Sequence, residues 1–204
     1  MVELPRVHDL LWGLTSEQLP TDAPVWCTAA LHDALPVVVR RAPPRVGYVP
    51  VGLRGIARGE RFATWLPVSA IDSVLSPEEV RLRKPVANAN LPVWQALAVV
   101  RERLESSEFV WGVTGSAGFE LATGCCATHA GSDLDLLLRT AQPISRERAR
   151  QLLADLSLAD CRVDVQLQTP NGGLALAEWA GSAVRVMLKG EDGPLLLENP
   201  WEAR

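Results

Sequence analysis

The sequence predicts an α+β or α/β protein in two parts. Residues 1–85 read as a small β-rich α+β domain, and residues 86–204 as a larger domain with a mixed sheet flanked by helices. Three observations predict this. Short apolar runs broken by proline and glycine fill the first part. The second part alternates helix, strand, short helix, strand, helix, strand. A chain of 204 residues, 48% hydrophobic and 22% charged, holds enough apolar material for one large core or two small ones.

Twenty basic residues against 24 acidic ones leave a net charge of −4. That balance disfavours a bulk nucleic-acid binder. No apolar run approaches the roughly 18 residues of a membrane-spanning helix. The N-terminal stretch from Met1 to Leu11 lacks a charged segment followed by an apolar one, so no secretion signal is expected. The expectation is a cytoplasmic protein with neither nucleic acid nor membrane as a partner. Cys27, Cys125, Cys126 and Cys161 form no zinc spacing and no disulfide framework. They are expected to be small buried residues in a reducing compartment.

In the first part, Val25 to Leu35 reads as a helix, and Val37-Val38-Val39 and Val46 to Leu53 as strands. Between Val37 and Pro67 stand six arginines, Arg40, Arg41, Arg45, Arg54, Arg58 and Arg61, against one acid, Glu60. Such a stretch is commonly a solvated face. It also suits a polyphosphate or an acidic protein, because guanidinium groups grip phosphate bidentately. Ser76-Pro77-Glu78-Glu79 carries the marks of a helix start: a capping serine, a first-turn proline and a box-closing glutamate. Arg81 to Pro85 then leads into Asn88-Ala89-Asn90, read as a linker, with the domain boundary near residue 86.

In the second part, Val93, Leu97, Val100 and Leu104 repeat at helical spacing and predict a helix over Pro92 to Glu105. Phe109 to Thr114 reads as a strand. Gly115-Ser116 reads as a turn, and Ala117 to Thr123 as a short helix stopped by Gly124. Leu134 to Arg139 is the next strand. Ser145 caps a helix whose apolar face is Ala149, Leu152, Leu153 and Leu156. Arg162 to Gln168 alternates strictly and is the third strand. Gly172 to Ala180 reads as helical, and Val184 to Lys189 and Pro194 to Leu197 as further strands.

Three segments carry the chemistry. In Ser132-Asp133-Leu134-Asp135, the two acids project from one face of a strand, about 7 Å apart at ~3.4 Å per residue. Two carboxylates so placed repel one another unless a cation joins them, an arrangement that suits Mg²⁺ with its preference for carboxylate and phosphate oxygens. Asp164 lies mid-strand on a face shared with Arg162, Gln166 and Gln168, and joins the pair if the two strands are neighbours. Three such carboxylates serve an in-line displacement at phosphorus. Gly115-Ser116, between a strand and a helix, offers backbone N–H groups and a hydroxyl to a phosphate. No GK[ST] follows, so this is not a Walker A loop.

The order and intervals of these segments resemble the nucleotidyltransferase superfamily that includes DNA polymerase beta. A closer resemblance runs over nearly the whole chain. It is carried by His8 to Trp12, Val38 to Pro43, Val51 to Gly55, Arg61 to Leu66, Gly115 to Gly124, Ser132 to Arg139, Arg162 to Leu167 and Ala177 to Ala180. These look like the phosphoribosyl-dephospho-CoA transferase family, also called malonate decarboxylase holo-[acyl-carrier-protein] synthase. The stretch Cys125 to Ala130 departs from the expected pattern.

The resemblance implies a DNA polymerase beta-like nucleotidyltransferase domain in the second part. It implies transfer of 2′-(5″-triphosphoribosyl)-3′-dephospho-CoA to a serine of the apo acyl carrier protein subunit of malonate decarboxylase, with release of diphosphate. The family's catalytic pair falls on Asp133 and Asp135, and Asp164 follows from the wider superfamily. These three are expected to hold Mg²⁺, with Asp164 near the attacking hydroxyl. Gly115 and Ser116 are expected to hold donor phosphates. Arg40, Arg41 and Arg54 are candidates for the remaining phosphates or for the acidic carrier. The alternatives are a nucleotidyltransferase acting on a small-molecule hydroxyl, and a non-catalytic nucleotide-binding module.

Overall fold

The computed structural model describes residues 4–55, 59–85, 90–158 and 160–202. The boundary expected near residue 86, the linker residues Asn88 and Ala89, and Arg58 lie outside the described residues. The chain divides into two compact units, Met1–Ser76 and Pro77–Arg204. Both are α+β.

The first unit is a five-stranded antiparallel sheet in the order β4-β3-β2-β1-β5. The strands are β1 (Leu10–Trp12), β2 (Val37–Val39), β3 (Tyr48–Arg54), β4 (Arg61–Pro67) and β5 (Ser73–Leu75), with helix α1 (Val25–His32) between β1 and β2. The core gathers Leu11, Cys27, Val37, Val51 and Leu66. Helix α1 stops three residues before the expected Leu35, and Ala34 takes a positive φ of 53° just beyond it. The Ala34 carbonyl accepts the Trp12 indole N–H at 3.0 Å. Strand β3 begins at Tyr48 rather than Val46, because the Tyr48 N–H closes a tight turn onto the Arg45 carbonyl at 3.1 Å. Strands β1, β4 and β5 have no counterpart among the expected elements. Three-residue strands carry too few positions for an alternation to register, and β4 hides its pattern behind a buried threonine, Thr64, two residues before Leu66.

The second unit holds α2 (Pro77–Val80), α3 (Pro92–Glu105), β6 (Val110–Val113), α4 (Gly115–Thr123), β7 (Leu134–Arg139), α5 (Arg146–Asp155), β8 (Val163–Thr169), β9 (Gly172–Ala175), α6 (Leu176–Ala180), β10 (Val186–Gly190) and β11 (Gly193–Leu197). Its six-stranded sheet runs β11-β10-β9-β8-β7-β6. Strands β7 and β8 pair in parallel, and the other pairings among the described residues are antiparallel. The parallel pair is joined through α5, because parallel neighbours need a crossover rather than a hairpin. Leu134, Leu136 and Leu138 are fully buried on one side of β7. Helices α3 and α4 contact β7, α6 contacts β8 and β9, and α5 lies against α6. Val93, Leu97, Val100 and Leu104 of α3 are all buried, as their spacing demands.

Two helix ends follow their sequence signals closely. The Ser145 hydroxyl accepts the Arg148 N–H at 3.0 Å and caps α5. Gly124 takes φ 75° and ends α4 with its N–H on the Glu120 carbonyl, a left-handed stop that glycine makes without strain.

Three expectations are corrected here. Gly172 to Ala175 is a strand, not helix, because Thr169 and Gly172 pair across a two-residue turn and carry β9 back along β8; the helix is confined to Leu176–Ala180. Gly115 and Ser116 are the first turn of α4 rather than a turn before it. Cys125 and Cys126 are exposed, whereas Cys27 and Cys161 are buried.

Candidate active site

The carboxylates meet at one end of the second unit's sheet. In the parallel pairing of β7 with β8, Asp135 stands directly beside Asp164. Neighbouring strands lie about 4.8 Å apart, and residues in register share a face, so the two acids are adjacent on one side of the sheet. Alternation sets the two sides: Leu134, Leu136 and Val165 are buried on one, while Asp135, Asp164 and Gln166 are half-buried on the other, where Leu137 is buried as well. Strand β7 starts at Leu134 as expected, so of the two acids read on one strand face Asp135 belongs to the strand and Asp133 stands one residue before it. The first ladder bond runs from the Leu134 N–H to the Arg162 carbonyl at 2.9 Å.

Strand β6 runs against β7 and delivers α4 to the same end. The Thr114 N–H donates to the Asp135 carbonyl at 2.9 Å, locking the start of α4 to the start of β7. Gly115 follows with φ 64°. A Cβ there would overlap the Asp135 carboxylate, so only glycine lets the helix start this close. The first-turn N–H groups of an α-helix have no partner within the helix and carry the positive end of its dipole. Ser116 adds a hydroxyl on that turn. An anion approaching here finds donors on one side and the Asp135–Asp164 pair on the other.

Arg162 sits on the same side and pairs with Asp164 at 2.9 Å. The Arg162 side chain is well exposed and that of Asp164 half-buried, so the pair is loosely held and partly screened by water. Among the described residues, no three His, Cys, Asp or Glu side chains are gathered tightly enough to hold a metal alone. The donors present are hard carboxylate oxygens. Mg²⁺ is held by one or two carboxylates with the balance from substrate phosphates and water, so the donor set fits it.

Arg40 and Arg41, which follow β2, and Arg54, which ends β3, lie in the first unit. The Arg40 guanidinium donates to the Arg41 carbonyl at 3.1 Å. Arg45 is engaged by aromatic faces, 4.0 Å from the Tyr48 ring centroid and 5.8 Å from that of Trp65.

Two participants were not read from the sequence. Thr114 acts through its backbone, which no side-chain pattern reports. Glu120, buried on α4, accepts three hydrogen bonds from the loop before Asp133. Its signal was an acid flanked by Phe119 and Leu121 and three residues from Ala117, on the helix's buried face. His129 shapes that loop, where its ring Nδ1 accepts the Gly131 N–H at 3.1 Å.

With this geometry in place, comparison with known proteins is decisive. The phosphoribosyl-dephospho-CoA transferase MdcG N-terminal domain matches residues 6–77, and the MdcG C-terminal domain matches residues 81–200. The chain belongs to the phosphoribosyl-dephospho-CoA transferase family. It is 50% identical over 197 residues to the protein of that name from Pseudomonas aeruginosa, covering 97% of this chain and 94% of the relative. It is 51% identical over 200 residues to the one from Pseudomonas putida strain GB-1, covering 98% and 97%. To the Azotobacter vinelandii protein it is 44% identical over 202 residues, covering 97% and 95%. No solved structure matches the chain. Membership makes the chain a transferase. The two family domains also end and begin close to the division between the two units, at Ser76 and Pro77. No helix among the described residues is long and apolar enough to cross a membrane.

Proposed function

We propose that this transferase moves 2′-(5″-triphosphoribosyl)-3′-dephospho-CoA onto a serine of the apo acyl carrier protein subunit of malonate decarboxylase, using Asp133, Asp135 and Asp164. The observation that carries the reading is the in-register pair Asp135–Asp164 beside the Gly115 helix start, on a chain of this family.

The reaction forms a bond from the serine oxygen to the donor's α-phosphorus and breaks the bond from that phosphorus to the leaving diphosphate. Gly115 and Ser116 donate to the outer phosphates and hold the leaving group in line with the attack. Asp164 lies at the acceptor side and takes the serine proton as the new bond forms. Asp133 and Asp135 are the carboxylates that would carry the ion beside the α-phosphate. Asp133, Asp135 and Asp164 would hold Mg²⁺ together with the donor's phosphate oxygens, and the ion would supply charge neutralisation at phosphorus. Arg40, Arg41 and Arg54 give the first unit positive charge suited to a polyanionic donor or an acidic carrier. The exposed free thiols of Cys125 and Cys126 fit a reducing cytoplasm.

The test is mass spectrometry of the purified apo carrier, incubated with the triphosphoribosyl donor, Mg²⁺ and this protein. A mass gain on the carrier serine with equimolar diphosphate is expected. Equal labelling by ATP would overturn the donor, and labelling of a free hydroxyl compound in preference to the carrier would overturn the acceptor.

A further inference from the structure

We infer that Glu120 is a positioning residue for Asp133, an inference that rests on the reading of Asp133 as part of the transfer site. Glu120 is only 3% exposed, and it makes no ion pair among the described residues. Its Oε2 accepts the N–H groups of Ala127 and Thr128 and the Thr128 hydroxyl, each at 2.8 Å. A carboxylate withdrawn from water is tolerated only when donors meet it. Here donors from two consecutive loop residues converge on one oxygen. An apolar side chain would pack α4 without that demand, so the carboxylate serves the loop.

The loop in turn delivers Asp133. After Gly124 ends α4, the Cys125 N–H donates to the Thr123 hydroxyl at 3.1 Å. Glu120 then fixes Ala127 and Thr128. Residues 129–132 close on themselves, with the His129 N–H on the Ser132 hydroxyl at 2.9 Å and the Ser132 N–H on the His129 carbonyl at 3.0 Å. Asp133 comes next, before the β7–β8 ladder starts at Leu134. Of the three acids, Asp135 and Asp164 have their positions set by strand register. Asp133 takes its position from the loop, and the loop's buried anchor is Glu120. Because Gly115 and Ser116 open the same helix, α4 ties the phosphate donors and the third acid to one rigid element.

The test uses the full chain and the variants Glu120→Met, Thr128→Val, Thr128→Ser and Asp133→Asn. Three quantities are read: thermal melting, Mn²⁺ affinity from water-proton relaxation, and kcat and KM for the donor. Glu120→Met and Thr128→Val, folded at the assay temperature, are expected to weaken Mn²⁺ binding and lower kcat by about 10- to 100-fold, as supports behind a metal ligand do. Donor KM is expected to hold, because Gly115 and Ser116 are untouched. Thr128→Ser keeps the hydroxyl and is expected to behave as the parent. A merely structural role would lower the melting temperature while leaving Mn²⁺ affinity and kcat of the folded protein intact, and that result overturns the inference. If Glu120→Met does not fold, Thr128→Val decides alone, since it removes one hydrogen bond without stranding a charge; parental Mn²⁺ affinity and kcat in it overturn the inference. An inactive Asp133→Asn beside a parental Glu120→Met removes the positioning role only. A fully active Asp133→Asn removes the site reading on which it rests.

Discussion

Gly115 and Asp135 occupy complementary space: the position a side chain on Gly115 would fill is held by the Asp135 carboxylate. Two demands meet at Gly115, a left-handed φ of 64° and the absence of a Cβ. Gly115→Ala violates both. Its backbone alone is disfavoured by about 1–2 kcal/mol, and the methyl must push Asp135 or the start of α4 aside. The expected outcome is a folded protein with a lowered melting temperature and transfer reduced by about 100-fold, the scale set by a displacement near 1 Å. Calorimetry and a transfer assay check both parts.

Arg162 and Asp164 predict an effect of opposite sign. Their exposed pair contributes at most about 1 kcal/mol to stability, so Arg162→Gln is expected to melt close to the parent. Removing a cation 2.9 Å from Asp164 leaves that carboxylate more attractive to a divalent ion. Mn²⁺ affinity is expected to rise about two- to fivefold, the equivalent of the same ~1 kcal/mol. Relaxation titration of the two proteins measures it. Asp164→Asn, in contrast, is expected to abolish transfer without unfolding.

Most of the second unit was legible in its residues, and the limits were physical. The helix over Pro92–Glu105 and the strand over Leu134–Arg139 matched to the residue, because each carries a full period of buried apolar side chains. The Ser145 cap and the Gly124 stop were equally plain. Gly172–Ala175 departs from the expected helix because a four-residue segment has no period of its own; pairing with β8 decides its state. Strands β7 and β8 are legible singly, but their parallel register is a long-range property, so the sequence alone makes the meeting of Asp135 with Asp164 conditional on their being neighbours. D-x-D alternation puts Asp133 on the face of Asp135, but the strand and its ladder begin at Leu134, so Asp133 stands one residue before them.

Cysteine chemistry separates the four thiols by burial. Burial pushes the Cys27 and Cys161 thiols above the ordinary range, and nearby Glu60 and Asp133, respectively, push the same way. A raised pKa means less thiolate at neutral pH, and reactivity follows thiolate. Native protein at pH 7.5 (about one unit below a free cysteine) is expected to react quickly with a thiol reagent at Cys125 and Cys126 only. Denaturation should release the other two. Rapid loss of four thiols from native protein would contradict this.

The second unit is fastened by residues 200–202. The Trp201 indole N–H donates to the Thr140 carbonyl at 2.7 Å, and its ring meets Trp179 edge-on at 5.2 Å. Asn171 donates to the carbonyls of Pro200 and Glu202. Trp201→Ala is expected to cost about 3–5 kcal/mol, the range for a large buried aromatic. Urea unfolding followed by tryptophan fluorescence and circular dichroism would measure it. A change under about 1 kcal/mol would mean that the tail is ornamental to stability.

The side-by-side run of β7 and β8 also constrains how this chain can vary. Sliding β8 by a single position would turn Asp164 toward the leucine-lined interior and bring Val163 out to water. Insertions or deletions between α5 and β8 must therefore be absorbed within the connecting bend, never by the strand itself. Chain length can drift just after α5, around residues 157–158, while the phase of the segment that follows is held by the cost of hiding an acid among hydrocarbons.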